Sequence, residues 1–231
     1  MKSAHCLVAY HGCDAVVRDD LVTQRLKKLD HSQNAYDWLG PGAYFFEGDL
    51  KRAILFAEAS AANPEKMFTR RPIATPAAVG AVLCVSSWLD MTTQDGLGEF
   101  SRALEGMIVA FQEEQKPLPD NKPAADDDVD IIHRALHSAV FRFMHEMREQ
   151  LEYAPFDAVR GAFPQGAAIA ENSGFRQHTH VQIAVRNNDC IMGWFLPEGA
   201  ELLTEEQYAV AKARLLAMGG PGRKRRVRVR E

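Results

Sequence analysis

Two periods of hydrophobic and polar residues run along this chain, and the switches between them outline its elements. Residues 4 to 10, AHCLVAY, are apolar, carry a β-branched residue and stop at His11-Gly12, which predicts a first strand. Asp14 stands where a helix N-cap is expected, with Val17, Leu21, Leu26 and Leu29 at roughly helical spacing behind it. A loop follows to Trp38. Gly40 and Gly42 around Pro41 exclude a regular element, and Asp49 predicts the cap of a second helix with Ala53, Phe56, Ala57 and Ser60 on one side, ending before Pro64. Residues 77 to 85, AAVGAVLCV, have the unbroken apolar character of a buried strand.

The second half is more helical. Residues 96 to 115 predict a helix, and 116 to 128, KPLPDNKPAADDD, a proline-rich acidic loop. Over 129 to 152, Ile132, Leu136, Val140, Phe143, Met147 and Leu151 fall on one stripe, which predicts the strongest helix of the chain. Short strands are predicted over 156–163, 180–185 and 190–196, then a helix from about Thr204 to Met218 that ends at Gly219-Gly220. No internal repeat is visible. Strands at both ends with helices between them predict an α+β fold, and the glycine fingerprint of a dinucleotide-binding Rossmann unit is missing. The expected organisation is one domain over 1–218, with 96–152 as a helical insertion or lid, and a tail over 219–231.

Composition changes little in this picture. At 231 residues, 46% hydrophobic and 25% charged, the chain suits one globular domain with a sizeable core. The first ten residues lack a signal-peptide pattern and no run of about 18 apolar residues occurs, so a cytoplasmic protein without membrane association is expected. Cys6, Cys13, Cys84 and Cys190 lie far apart without a C-x-x-C pair, which predicts reduced, mostly buried thiols and no disulfide framework. Charge matters more. Residues 221–231, PGRKRRVRVRE, hold six Arg or Lys against one Glu, so the preceding residues are five charges more acidic than the chain's net -4. Such a tail is either a salt-sensitive arm for phosphates or a solvated terminus.

Three segments carry candidate chemistry. His11-Gly12 at a strand end offers an imidazole and a bare backbone that a flat amide can approach, or simply makes a turn. Tyr44, Phe45 and Phe46 follow a glycine turn and precede Glu47; alternation sends Tyr44 and Phe46 to one face and Phe45 to the other, as core or as a stacking surface. In THVQIAV, residues 179 to 185, His180, Gln182 and Ala184 share a face, and an unpartnered amide at Gln182 is costly to bury, so it should meet a cleft or a partner.

Together LVAYHG, WLGPGAYFFEGDLKRAILFA and THVQIAV resemble, in order and spacing, the NAD-binding core of the ADP-ribosyltransferases in their diphtheria-toxin and poly-ADP-ribose-polymerase branch. The resemblance covers about sixty residues of the 231. It implies a split antiparallel sheet with an NAD cleft, His11 and Gly12 on a ribose and the nicotinamide amide, and Tyr44, with Phe45 beside it, against the nicotinamide ring. Gln182 falls where the family places a Glu on the nicotinamide ribose. The departure keeps hydrogen bonding but loses a charge that would stabilise an oxocarbenium-like ribose. Glu47 is the nearest alternative acid, and Arg160 is either a pyrophosphate ligand or a salt-bridge partner.

What the resemblance implies is mono-ADP-ribosyl transfer from NAD, without a metal, in the manner of toxins of toxin-antitoxin or phage-defence systems. A nucleic-acid acceptor suits the basic tail, a protein acceptor is the alternative, and an antitoxin is an implied partner. The rival functions are a non-catalytic NAD or ADP-ribose-binding module, favoured by Gln182, and an NAD glycohydrolase. Other constellations are thinner. His133 and His137 are four apart but lack the Glu of a zincin helix, His178 and His180 are either acid-base groups or edge-strand polar residues, and Arg52 reads as solvated.

Overall fold

The computed structural model describes residues 4–64, 67, 72–123 and 130–219; the basic run 221–231 and residues 124–129 of the acidic loop lie outside them. Within these bounds the chain is α+β. Its elements are β1 (His5–Asp14), α1 (Ala15–Val22), β2 (Ala43–Glu47), α2 (Leu50–Ala62), β3 (Pro76–Val85), β4 (Trp88–Asp90), α3 (Gln94–Glu113), β5 (Asn121–Lys122), β6 (His133–Arg134), α4 (Ala135–Gln150), β7 (Ala158–Phe163), β8 (His180–Val185), β9 (Ile191–Phe195) and α5 (Glu205–Ala217). Seven strands form one sheet in the order β4-β7-β8-β2-β1-β3-β9, antiparallel except for the β4–β7 pair.

Local chemistry sets the helix starts. The Asp14 carboxylate accepts from the Val16 amide, Asp49 from Arg52, and Thr93 from Gly96, each satisfying an orphan N–H of a first turn. Thr204 and Gln207 form a reciprocal capping box on α5.

The sheet is continuous but narrow at one point. β1 pairs with β3 over ten positions, whereas β1 and β2 pair only at Ala9–Glu47 and Tyr10–Phe46. Beyond Tyr10 the two strands part, so the halves β4-β7-β8-β2 and β1-β3-β9 join through a two-residue neck. One face of the sheet, under α1, packs Ala9, Cys13, Leu21, Phe45, Ile183 and Val185. The opposite face carries two separate clusters, Phe46, Ala53 and Ala78 under α2, and Leu39, Phe141, Met144, Val159, Phe163 and Ala184 beneath α4.

The structure revises two expectations. α4 begins at Ala135, because His133–Arg134 pair with Asn121–Lys122 as a small second sheet. Phe141 and Met144 pack on the sheet and Val140 is buried, while Phe143 lies against Gly106 of α3 and Leu151 is 55% exposed. A helix with two packing partners divides its apolar residues between them, which a single-stripe reading cannot resolve. Cys6 and Cys84 lie directly opposite in the β1–β3 register and form a disulfide, with Cys6 exposed. Only Cys13 and Cys190 are free and buried, and burial pushes both thiols up. Among the described residues no helix is long and apolar enough to cross a membrane.

Candidate functional site

The neck of the sheet is where His11 sits. Its Nδ1 lies 2.7 Å from the carbonyl oxygen of Tyr44, and because a carbonyl only accepts, Nδ1 carries the proton. The imidazole thus takes over between the strands just where backbone pairing stops. Gly12 also has a packing role. A Cβ there would overlap the carbonyl oxygen of Ala53, so glycine lets α2 cross β1 closely. The helix crosses on the Cβ side of Gly12, while the residue still lines the cavity.

A cavity of about 480 Å³ opens beside the neck, within the range of small-molecule sites. His11, Gly12, Tyr44, Phe45 and Gln182 all line it, so the three distant segments meet on one wall system. Tyr44 offers its ring only. Its hydroxyl donates to the Gly40 carbonyl at 2.7 Å and accepts from the Leu39 amide at 2.9 Å, and burial holds its pKa well above the usual phenol value. Phe45 is buried beneath the neck, 6.0 Å from Trp194 between ring centroids. Gln182 stands opposite Phe46 on one side and Gly161 on the other, half-buried, and its amide makes no hydrogen bond among the described residues.

Two candidates are elsewhere. Arg160 donates from Nε to Glu47 at 2.6 Å and from Nη2 to the other Glu47 oxygen at 3.2 Å, while Nη1 reaches Asp90 at 3.1 Å and Thr92 at 3.0 Å. The Glu47 hydrogen bond leads the effects that raise the guanidinium pKa. By register Arg160 opposes Ile183, so it shares the Phe45 and Glu47 face, away from Gln182. Arg160 is therefore a salt-bridge partner and not an open pyrophosphate ligand, and Glu47 is neither free nor on the correct face to replace an acid at 182.

Sequence reasoning overlooked other parts of the wall. Residues 30–34 and 36–38 line the cavity although their stretch carries no periodic pattern. Asp37 accepts from the Asn34 amide at 2.9 Å, burial raises its pKa, and the Trp38 Nε1 donates to the Ile132 carbonyl at 2.6 Å. Arg52 is half-buried, not solvated: its Nη2 donates to Gln165 Oε1 at 2.6 Å and its guanidinium lies 5.0 Å over the Phe46 ring. Burial lowers its pKa.

The histidines divide. His180 is 5% exposed and ringed by Trp38, Phe46 and Phe163, with Nδ1 donating to the His178 carbonyl at 2.6 Å and Nε2 buried without a partner. Burial pushes it down to about 4, so it is a neutral member of an aromatic cluster, while His178 is exposed. Arg134 covers Trp38 at 4.4 Å. His133 lies in β6, stacked on Tyr36 at 5.2 Å, and His137 meets the edge of Phe100 at 5.8 Å, so the pair does not share a helix face. No family model, curated protein or solved structure matches the chain.

Proposed function

We propose that this chain has an ADP-ribosyltransferase-like core and takes NAD into the cavity beside His11, transferring single ADP-ribosyl units to an acceptor. The observation that carries this reading is the meeting of His11, Tyr44 and Gln182, from three strands, around one cavity at the point where the sheet parts. The Tyr44 ring supplies a flat apolar face for the nicotinamide, and its hydroxyl, tied to the Leu39–Gly40 turn, fixes that face. Gln182 can hydrogen-bond the nicotinamide ribose. When the glycosidic bond breaks, nicotinamide leaves with the electron pair, and the acceptor nucleophile adds to the ribose carbon and loses its proton. An amide contributes a dipole to this cation where a carboxylate would contribute a full charge, which favours slow, single transfers.

The second reading is a non-catalytic NAD or ADP-ribose-binding module. It is favoured by Gln182 together with the capture of Glu47 by Arg160. For the acceptor we propose nucleic acid, as in a cytoplasmic toxin or phage-defence effector held by an antitoxin. That part rests on the basic residues 221–231, outside the described structure.

The test is nicotinamide release and label transfer from NAD, with RNA, DNA and protein offered separately. Gln182→Ala is expected to lower release by about 10²-fold, the usual loss for one preorganised polar contact, and Gln182→Glu to retain or raise it. Removing residues 221–231 should leave release unchanged and weaken transfer to nucleic acid at rising salt. Thermal stabilisation by NAD without release would select the binding module. Wild-type turnover in Gln182→Ala would remove Gln182 from the site, and the absence of any NAD effect would end the reading.

A further inference from the structure

Arg52 is the only lysine or arginine lining the cavity among the described residues. Its surroundings differ from those of Arg18 and Arg160, and resemble those of Arg134, which also lies on aromatic rings with a buried, unpartnered Nε but does not line the cavity. Arg18 is paired with Asp19 at 2.7 Å, and Arg160 with both Glu47 and Asp90. The Arg52 guanidinium instead donates to the neutral Gln165 side chain, rests on Phe46, and keeps a buried Nε with no hydrogen-bond partner. Two carboxylates stand near, and the backbone has taken both. Asp49 caps α2 by accepting the Arg52 amide at 2.8 Å, and Asp130 accepts the Gly166 amide through its two oxygens at 3.0 and 2.9 Å.

A guanidinium drawn partly out of water without a carboxylate in its fork is costly, and an anion with several oxygens offsets that cost by filling the fork. The Gln165 side chain presents an amide N–H₂ beside it on the same cavity wall, while its oxygen holds Arg52 in place. We infer that Arg52, positioned by Gln165, is the diphosphate-binding group of the cavity, taking the phosphates that link the two halves of a dinucleotide. The inference rests on the NAD reading for the identity of the ligand, and it moves the diphosphate role from Arg160 on the other face of the sheet to α2.

Calorimetric titration of the full chain with inorganic pyrophosphate, ADP-ribose and nicotinamide riboside tests it, in the wild type, Arg52→Gln and Gln165→Ala. Pyrophosphate and ADP-ribose are expected to bind the wild type and to lose roughly 10- to 100-fold in affinity in Arg52→Gln, the range for hydrogen bonds to a charged group. Gln165→Ala should lose several-fold for both, and nicotinamide riboside, which has no phosphate, should be unaffected by either change. If Arg52→Gln fails to fold, Gln165→Ala decides, since it leaves Arg52 on Phe46. Equal affinity of pyrophosphate for wild type and variants, or no binding to the wild type, overturns the inference. Pyrophosphate binding through Arg52 without nicotinamide release would overturn the transferase reading alone. NAD cleavage with an unchanged KM in Arg52→Gln would overturn the diphosphate assignment alone.

Discussion

Arg52 reaches Phe46 from one face of the sheet and Arg160 reaches Glu47 on the other, so consecutive residues of β2 separate two unlike electrostatic settings. On the Phe45 face the charges of β2, β4 and β7 answer one another: Glu47 and Asp90 together close the Arg160 fork. On the Phe46 face, Gln182 is unbonded, Arg52 has a neutral partner, and the buried His180 Nε2 has none among the described residues. The same residue types thus play opposite parts. Closed pairs hold the sheet together, and the open polar groups that also line the cavity, Gln182 and Arg52, are placed to meet a ligand.

The most disruptive way to test this division is Gly12→Ala. If Gly12 serves the α2 crossing, as the carbonyl of Ala53 implies, the added methyl must push helix and strand apart and cost about 3 kcal/mol. In a chain of this size that lowers Tm by roughly 10 °C. A Tm within a degree or two of wild type, with NAD binding lost, would return Gly12 to the ligand and weaken the contrast.

What the sequence could reveal follows from distance along the chain. The caps Asp14 and Asp49 were legible because a cap bonds an amide two or three residues away. The face shared by His180, Gln182 and Ala184 followed from strand period alone. Arg52 read as solvated because nothing near it signals Gln165, 113 positions later, and Glu47 looked free because its partner Arg160 is equally remote. The Cys6–Cys84 bond had the same cause, since only the β1–β3 register brings the two together. The His11–Tyr44 contact was anticipated as a neighbourhood through family resemblance, but not the capture of the Tyr44 hydroxyl by Leu39 and Gly40.

Acid should expose the cleft face next. An unfolded histidine titrates near 6.5, whereas burial holds His180 at about 4, so between these values the unfolded chain binds a proton that the native chain excludes. Stability is therefore complete above pH 6.5 and falls as pH drops towards 4, with His180 supplying on the order of 2 kcal/mol of that loss by pH 4.5. His137, at about 4, and His145, at about 3, act in the same direction. Thermal melts over this range should consequently show a shallower decline, not a flat line, in His180→Phe, which keeps an aromatic ring among Trp38, Phe46 and Phe163. A wild-type slope in that variant would mean that His180 titrates normally and is wetter than its packing allows.

The smallest effect is expected from Arg160→Gln, and it sharpens the comparison most. The change leaves Glu47 and Asp90 facing each other without their shared cation, but both are a quarter or more exposed and water can reach them, so the loss is roughly 1 kcal/mol. Because Arg160 does not line the cavity, affinity for NAD, ADP-ribose and pyrophosphate should stay at the wild-type value. Arg52→Gln should do the reverse, altering ligand affinity more than Tm, since its side chain holds a neutral partner and forms no salt bridge among the described residues. Calorimetry and thermal melting on the two variants side by side give a crossed pattern if the faces divide as described. Parallel losses in both measurements would show that the two arginines belong to one coupled network through β2, and the partition between structural and ligand-facing charges would have to be abandoned.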